Sequence, residues 1–237
     1  MQKVKIGAEL RFFLWYNSCM RKIVFAKGEY YHVYNRGVDK REVFLDDSDY
    51  VRFLKNMREF NNNLIREERL RIQSAKNSEL SSESELSSDD TGDKLVEIIA
   101  YCLNPNHYHL ILKQTSDKGI EKFMHKVSTG YTNYFNKKYK RSGSLFQGRF
   151  KAIYIDSNEY LLYLSAYVNV NHVIHGYGNN DWKYCSVLDY RGIRNGTLCN
   201  KEVVLGQFES LKSYEIFLND NAKYLKSKKE LEKYCLE

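Results

Sequence analysis

Tyr101-Cys102-Leu103-Asn104-Pro105-Asn106-His107-Tyr108-His109-Leu110 is the stretch on which the fold turns. It opens inside an apolar, β-branched run, Leu95 to Leu103, of the kind that forms a buried strand. Asn104-Pro105-Asn106 interrupts it with residues suited to a turn, because proline presets φ and asparagine tolerates turn conformations. From His107 to Lys113 apolar and polar side chains alternate, which predicts a second strand and hence a hairpin. Alternate side chains of a strand share a face. His107 and His109 therefore point one way, and Tyr108, Leu110 and Leu112 the other. Two imidazoles so placed can hold one divalent ion and leave coordination positions for substrate oxygens. A His-x-His on the wet face of a strand is the bland alternative.

Working outward, residues 29–36 are β-prone and end at Gly37, which predicts a strand. A helix follows, with Ser48 as its expected cap and Tyr50, Phe53, Leu54 and Met57 as a buried stripe to about Phe60. Beyond the hairpin, residues 119–139 carry a helical stripe: Ile120, Phe123, Met124, Val127, Tyr131, Tyr134 and Phe135. A loop containing Gly143 and Gly148 leads to a short strand, Phe150 to Ile155. A further helix starts at Asp156 or Ser157, runs to about Ile174 and stops at Gly176. A lysine-rich helical tail follows from about Leu205. Strand, helix, hairpin, helix, strand, helix predicts an α+β fold: an antiparallel sheet with helices on one face and the other face left for a ligand.

The last long helix is the second place where chemistry gathers. Leu161, Leu164 and Val168 form its expected core stripe, while Tyr163, Tyr167 and Asn171, four residues apart, line a neighbouring face. Tyrosine can attack phosphoryl groups, but the chain has 20 tyrosines, so spacing alone does not single one out. The third signal is charge. Formal net charge is +7, and from Ile120 to Ile155 eight basic residues, among them Lys137, Lys138, Arg141, Arg149 and Lys151, face one acid, Glu121. Aromatics are interleaved with them, as single-stranded nucleic acid binding requires. Core packing of the same aromatics is the alternative.

The rest of the composition excludes some classes. The five cysteines are scattered, with no zinc-knuckle or redox-pair spacing, which suggests reduced thiols in the cytoplasm. No apolar run reaches the ~20 residues of a membrane span. Residues 1–19 are expected to be an N-terminal extension, because Arg11, Arg21 and Lys22 interrupt and follow their apolar run where a signal peptide needs a small-residue cleavage site. Residues 77–93, rich in Ser, Asp and Glu, are expected to be a disordered acidic insertion.

Together these segments resemble the REP-associated tyrosine transposases, a group of the single-tyrosine HUH (insertion-sequence type) transposases. The matching stretches are Tyr31–Gly37 with Val43–Asp46 downstream, Tyr101–Leu110, Gly143–Phe150 and Tyr167–Asn171, in the family's order and within Tyr30 to Arg194. The resemblance implies a ferredoxin-like (RRM-like) HUH domain over 20–195 and a helical tail over 196–237. It implies that His107, His109 and Asn171 bind Mg²⁺ or Mn²⁺, and that Tyr167, rather than Tyr160 or Tyr163, is the nucleophile. It implies cleavage and rejoining of single-stranded DNA near hairpins through a 5′-phosphotyrosine, in a cytoplasmic, nucleoid-associated protein. Arg36, Lys137, Lys138, Arg141, Arg149 and Lys151 are then the expected DNA contacts. Where the family usually has proline after the asparagine, this chain has His172. Whether the tyrosine helix acts in its own subunit or across a homodimer stays open. A non-catalytic hairpin binder and a replication-initiator-type HUH nickase would share the sheet. The intact His107, His109, Tyr167 and Asn171 favour catalysis, and Gly143–Phe150 favours the transposase group. A structural protein with a chance His-x-His would instead place the histidines far from Tyr167.

Overall fold

The computed structural model describes residues 23–62, 94–178 and 182–234. The stretches 1–19 and 77–93 lie outside the described residues. The elements are β1 (Tyr30–Arg36), α1 (Asp47–Glu59), β2 (Val96–Asn104), β3 (His107–Gln114), α2 (Gly119–Lys138), β4 (Lys151–Ile155) and α3 (Asn158–His175). Two short helices, α4 (Val187–Tyr190) and α5 (Glu202–Leu205), and a long one, α6 (Leu211–Tyr234), follow. The sheet has four strands in the order β2-β3-β1-β4, and every pairing is antiparallel. This is the split βαβ arrangement of a ferredoxin-like domain.

The hairpin forms as its sequence predicts. Asn104 pairs with His107, so Pro105 and Asn106 alone make the turn. The carbonyl of Pro105 accepts the amides of Val43 and Phe44, and that of Asn106 accepts the amide of Gly37. These bonds draw the segment after β1 onto the turn. Gly37 is confined there, since a Cβ at this position would lie 2.2 Å from the Arg41 carbonyl oxygen. The cap of α1 is Asp46 rather than Ser48: its carboxylate accepts the Asp49 amide, and Asp49 returns the bond in a capping box. Two acids three residues apart can close that box, whereas Ser48 donates its hydroxyl to Asp46.

Both faces of the sheet are covered, which corrects the expectation of helices on one face only. On one face Tyr31, Val33, Leu103, Tyr108, Leu110 and Leu112 pack with α1 and α2. On the other, Ile99, Ala100, Cys102 and Ile111 pack with Leu161, Leu164 and Val168 of α3. α3 is mostly apolar around its circumference because α6 covers its outer side, burying Tyr214, Leu218 and Leu225. A helix apolar all round must be covered all round, and this is what the tail supplies. Ser157 caps α3, and Gly176 ends it at φ 72°. The segment after Trp182 is tied to the edge of β2 by two backbone bonds, Leu103 amide to Tyr184 carbonyl and Ser186 amide to Tyr101 carbonyl. Among the described residues no helix is long and apolar enough to cross a membrane.

Candidate active site

His107 and His109 lie side by side on the α3 face of β3, each only 8% exposed. Strand alternation put them there, and their neighbours define their chemistry. His107 Nδ1 lies 2.6 Å from Asn106 Oδ1. An amide oxygen only accepts, so Nδ1 carries the proton and Nε2 presents a lone pair. That lone pair meets Asn104 Nδ2 at 2.9 Å and lies 3.2 Å from Asn171 Oδ1. His109 Nδ1 lies 2.9 Å from His32 Nε2 on β1. With His109 as the donor in that pair, its Nε2 is the nitrogen left to bind a ligand. Burial keeps these rings neutral: it lowers His107 to about 4, His32 to about 3, and His109 well below the usual histidine value.

Tyr167 and Asn171 reach this pair from α3. The Tyr167 ring sits edge-on to His109 at 5.4 Å and to His32 at 6.0 Å, centroid to centroid. Burial raises its phenol above the usual tyrosine value, and the nearby Asn171 amide works the other way. Asn171 is fully buried. Its Oδ1 accepts from Asn104 Nδ2 at 2.6 Å, while its own Nδ2 has no partner among the described residues. All these groups come from one chain, so the chance His-x-His alternative, with its histidines far from Tyr167, does not apply.

The donor set suits a hard divalent ion completed by substrate oxygens. Ligands at about 2.1 Å in an octahedral shell lie roughly 3.0 Å apart when adjacent. His107 Nε2 and Asn171 Oδ1 are 3.2 Å apart and turn lone pairs toward a common point. The Asn104 amide now donates to both, satisfying them as a cation would.

His172, the departure from proline, turns away from the pair. Its Nδ1 lies 3.9 Å from Cys102 Sγ, and its ring stacks on Trp182. Four neighbours of the pair escaped sequence reasoning. Asn104 and Asn106 were taken only for a turn, although the register of the hairpin places Asn104 opposite His107. His175 continues the 163/167/171 series by one more turn. Its ring lies 4.9 Å from that of His107, and its Nδ1 accepts from Lys229 Nζ of α6 at 3.0 Å. His32 carried no sequence signal, because only the pairing of β1 with β3 brings it close.

The six expected DNA contacts divide. Arg36 lies on β1 opposite His107, and Lys151 on β4 opposite Tyr34, both exposed on the histidine face. Arg149 is exposed in the loop whose Gln147 amide bonds the Arg36 carbonyl, so it stands beside them. Lys137, Lys138 and Arg141 belong to the end of α2, across the sheet. Lys138 is committed to Asp46 and Asp49 at 2.7 and 2.8 Å. Arg141 holds the loop through Asn136 Oδ1 and the Ser144 carbonyl. Of the interleaved aromatics, Tyr131, Phe135 and Phe146 are core and unavailable to stack bases, and Tyr134, Tyr139 and Phe150 are partly buried against it.

The structure thus sets a buried pair of strand histidines against a helical tyrosine and amide on a ferredoxin-like sheet. The chain belongs to the IS200-like transposase family, whose profile matches residues 28–171. Similar solved structures include a REP-associated tyrosine transposase bound to a REP hairpin, at 15% identity over 71% of this chain and 82% of that one, TM-score 0.48. Another is the tRNA(His) guanylyltransferase of Saccharomyces cerevisiae, at 13% identity over 92% of this chain and 85% of that one, TM-score 0.35. No curated protein matches.

Proposed function

We propose that this transposase cleaves and rejoins single-stranded DNA beside a hairpin, with Tyr167 as nucleophile and His107, His109 and Asn171 as ligands of Mg²⁺ or Mn²⁺. The observation that carries the proposal is one cluster: the Tyr167 ring lies 5.4 Å from that of His109, and Asn171, one turn further along the same helix, sets its Oδ1 3.2 Å from His107 Nε2. Residues 20–195 are taken as the catalytic unit and 196–237 as an added brace.

The phenolic oxygen of Tyr167 attacks phosphorus, forming the Tyr–O–P bond as the P–O3′ bond breaks. The phenol loses its proton and the departing 3′ oxygen takes one up. The DNA 5′ end stays on Tyr167 as a phosphodiester, so a second 3′-OH can reverse the step and rejoin DNA without ATP. The ion, when bound, polarises the phosphate and offsets the raised proton affinity of the buried phenol. Asn171 orients the Tyr167 hydroxyl. Asn106 and His32 fix the tautomers of the two ligand histidines. Arg36, Arg149 and Lys151 hold the phosphates that flank the reacting one. On this reading the tyrosine helix acts in its own subunit, because Tyr167 and Asn171 meet the histidines within one chain.

The test is incubation with single-stranded hairpin DNA and Mn²⁺, followed by denaturing electrophoresis. A protein–DNA adduct is expected that Tyr167→Phe abolishes and Tyr163→Phe retains. An adduct that survives Tyr167→Phe overturns the assignment.

A further inference from the structure

We propose that Cys102, His172 and Cys185 form a second metal site, which holds one structural Zn²⁺ and is distinct from the histidine pair. The ligand atoms of the three residues all lie within 4.8 Å of one another. Zinc with bonds of about 2.3 Å to sulfur and about 2.0 Å to nitrogen sets tetrahedral neighbours roughly 3.6–3.8 Å apart. Cys102 Sγ and His172 Nδ1 are 3.9 Å apart before any ion draws them in. A side-chain oxygen for a fourth position is Asn104 Oδ1, 3.6 Å from Cys102 Sγ. The alternative, Asn169 Oδ1, is 3.9 Å from Cys185 Sγ and already accepts from Ser186 Oγ at 2.6 Å.

Burial and charge favour the same ion. Exposure is 0% for both cysteines and 1% for His172. A closed site is structural rather than catalytic. Two thiolates neutralise a divalent cation, so the loaded cluster is uncharged and can stay in the core, and its formation releases two protons. Thiolates and imidazole select zinc over the hard ions suited to the histidine pair. Buried cysteine is commonplace, but two thiols meeting an imidazole from a third segment is not. Without metal the Cys185 thiol meets weak acceptors, the Asn169 carbonyl at 3.4 Å, the Val168 carbonyl at 3.8 Å and Asn169 Oδ1 at 3.9 Å.

The three ligands come from β2, α3 and the segment before α4, which are far apart in sequence. The site would clamp them beside the catalytic network, because His172 follows Asn171 and Cys102 lies two residues before Asn104. His172 and Cys185 lie beyond the 28–171 family match, and Cys102 lies within it.

The experiment is elemental analysis of the full-length protein purified under reducing conditions without chelators. One zinc per chain is expected. His107→Ala/His109→Ala and Cys199→Ser should retain it, while Cys102→Ser and Cys185→Ser should lose it. Should the cysteine variants fail to fold, exchange of wild-type protein into Co²⁺ decides. Tetrahedral d–d bands and a thiolate-to-cobalt charge-transfer band are expected, with Cys102 and Cys185 protected from alkylation until chelator is added. Only a small fraction of an equivalent of zinc, with no thiolate–cobalt band, overturns the proposal. So does a Cys102–Cys185 disulfide in the metal-free purified protein, or zinc lost only with the His107/His109 pair.

Discussion

His32→Phe isolates the orienting role assigned to a histidine that touches neither metal nor DNA. His32 is 2% exposed, and its Nε2 is the partner of His109 Nδ1 at 2.9 Å. Phenylalanine keeps the aromatic ring beside His109 and Tyr167 but accepts no hydrogen bond. Two stability effects then oppose each other. His109 Nδ1 loses its buried partner, at a cost of about 1–3 kcal/mol. His32 Nδ1, buried with no partner among the described residues, is removed, and that returns a similar amount. Net stability should therefore change by no more than about 1 kcal/mol. Metal affinity has no such compensation, because the His109 tautomer and ring angle are no longer fixed. Removing such a partner typically costs 10- to 100-fold in affinity, or about 1.4–2.7 kcal/mol. Counting free Mn²⁺ by electron paramagnetic resonance during a titration measures this directly. The rate of adduct formation against Mn²⁺ should shift by the same factor and recover at saturation. An unchanged Mn²⁺ affinity, or a loss of rate that saturating metal does not restore, would refute the orienting role.

Other consequences follow from the same geometry. Arg149→Ala should weaken binding to single-stranded DNA and lower the log–log salt slope by about 0.7 per phosphate contact, with the melting temperature unchanged, as fluorescence anisotropy at several salt concentrations would show. Lys138→Met should leave that slope alone and destabilise the fold by about 1–3 kcal/mol in urea titrations, because Asp49, with a fully buried side chain, loses its cation. The metal-free protein should lose stability as pH falls below about 6.5, the unfolded histidine value. Burial lowers His107 to about 4 and His32 and His175 to about 3, so over this window the unfolded chain binds protons that the native state excludes. The slope is up to about 1.4 kcal/mol per pH unit per histidine, is absent above the unfolded value, and levels off below the folded ones. A urea midpoint flat between pH 7 and 4 would contradict it.

What the sequence disclosed was local, and what it withheld was contact between distant segments. His107 and His109 follow from strand alternation, and Leu161, Leu164, Tyr167 and Asn171 from helical spacing. Both periodicities are set by backbone geometry within a few residues. The resemblance selected Tyr167 from its neighbours, which periodicity could not do. The second helical layer was missed because its cause lies far along the chain. α3 reads in sequence as an ordinary amphipathic helix, and only later segments, residues 185–188 and Tyr214 and Leu218 of α6, account for its buried Ala166, Asn169 and Val170. The Cys102–His172–Cys185 cluster escaped for the same reason, since its members meet only after β2, α3 and the segment before α4 have packed. The basic stretch misled in the opposite sense. It is continuous in sequence, yet α2 lies against one face of the sheet and Lys151 of β4 points from the other.

The covering of both faces also fixes where DNA can approach. α3 lies mainly across β2 and β3, and it leaves the end of the β1–β4 part of the histidine face around Tyr34, Arg36 and Lys151 uncovered. Lys151 is exposed there beside half-buried Tyr34, with Arg36 at the end of the same strand. The Tyr34 ring stacks against His109 at 5.7 Å and His32 at 5.2 Å. Tyr167 stands at the margin between covered and open sheet. Under the proposed reaction a phosphate reaching Tyr167 must cross this margin from the β1–β4 side, passing Arg36, Arg149 and Lys151 rather than the lysines of α2. On that reading the buried histidines are shielded from water, and among the described residues the basic rim concentrates phosphate beside them.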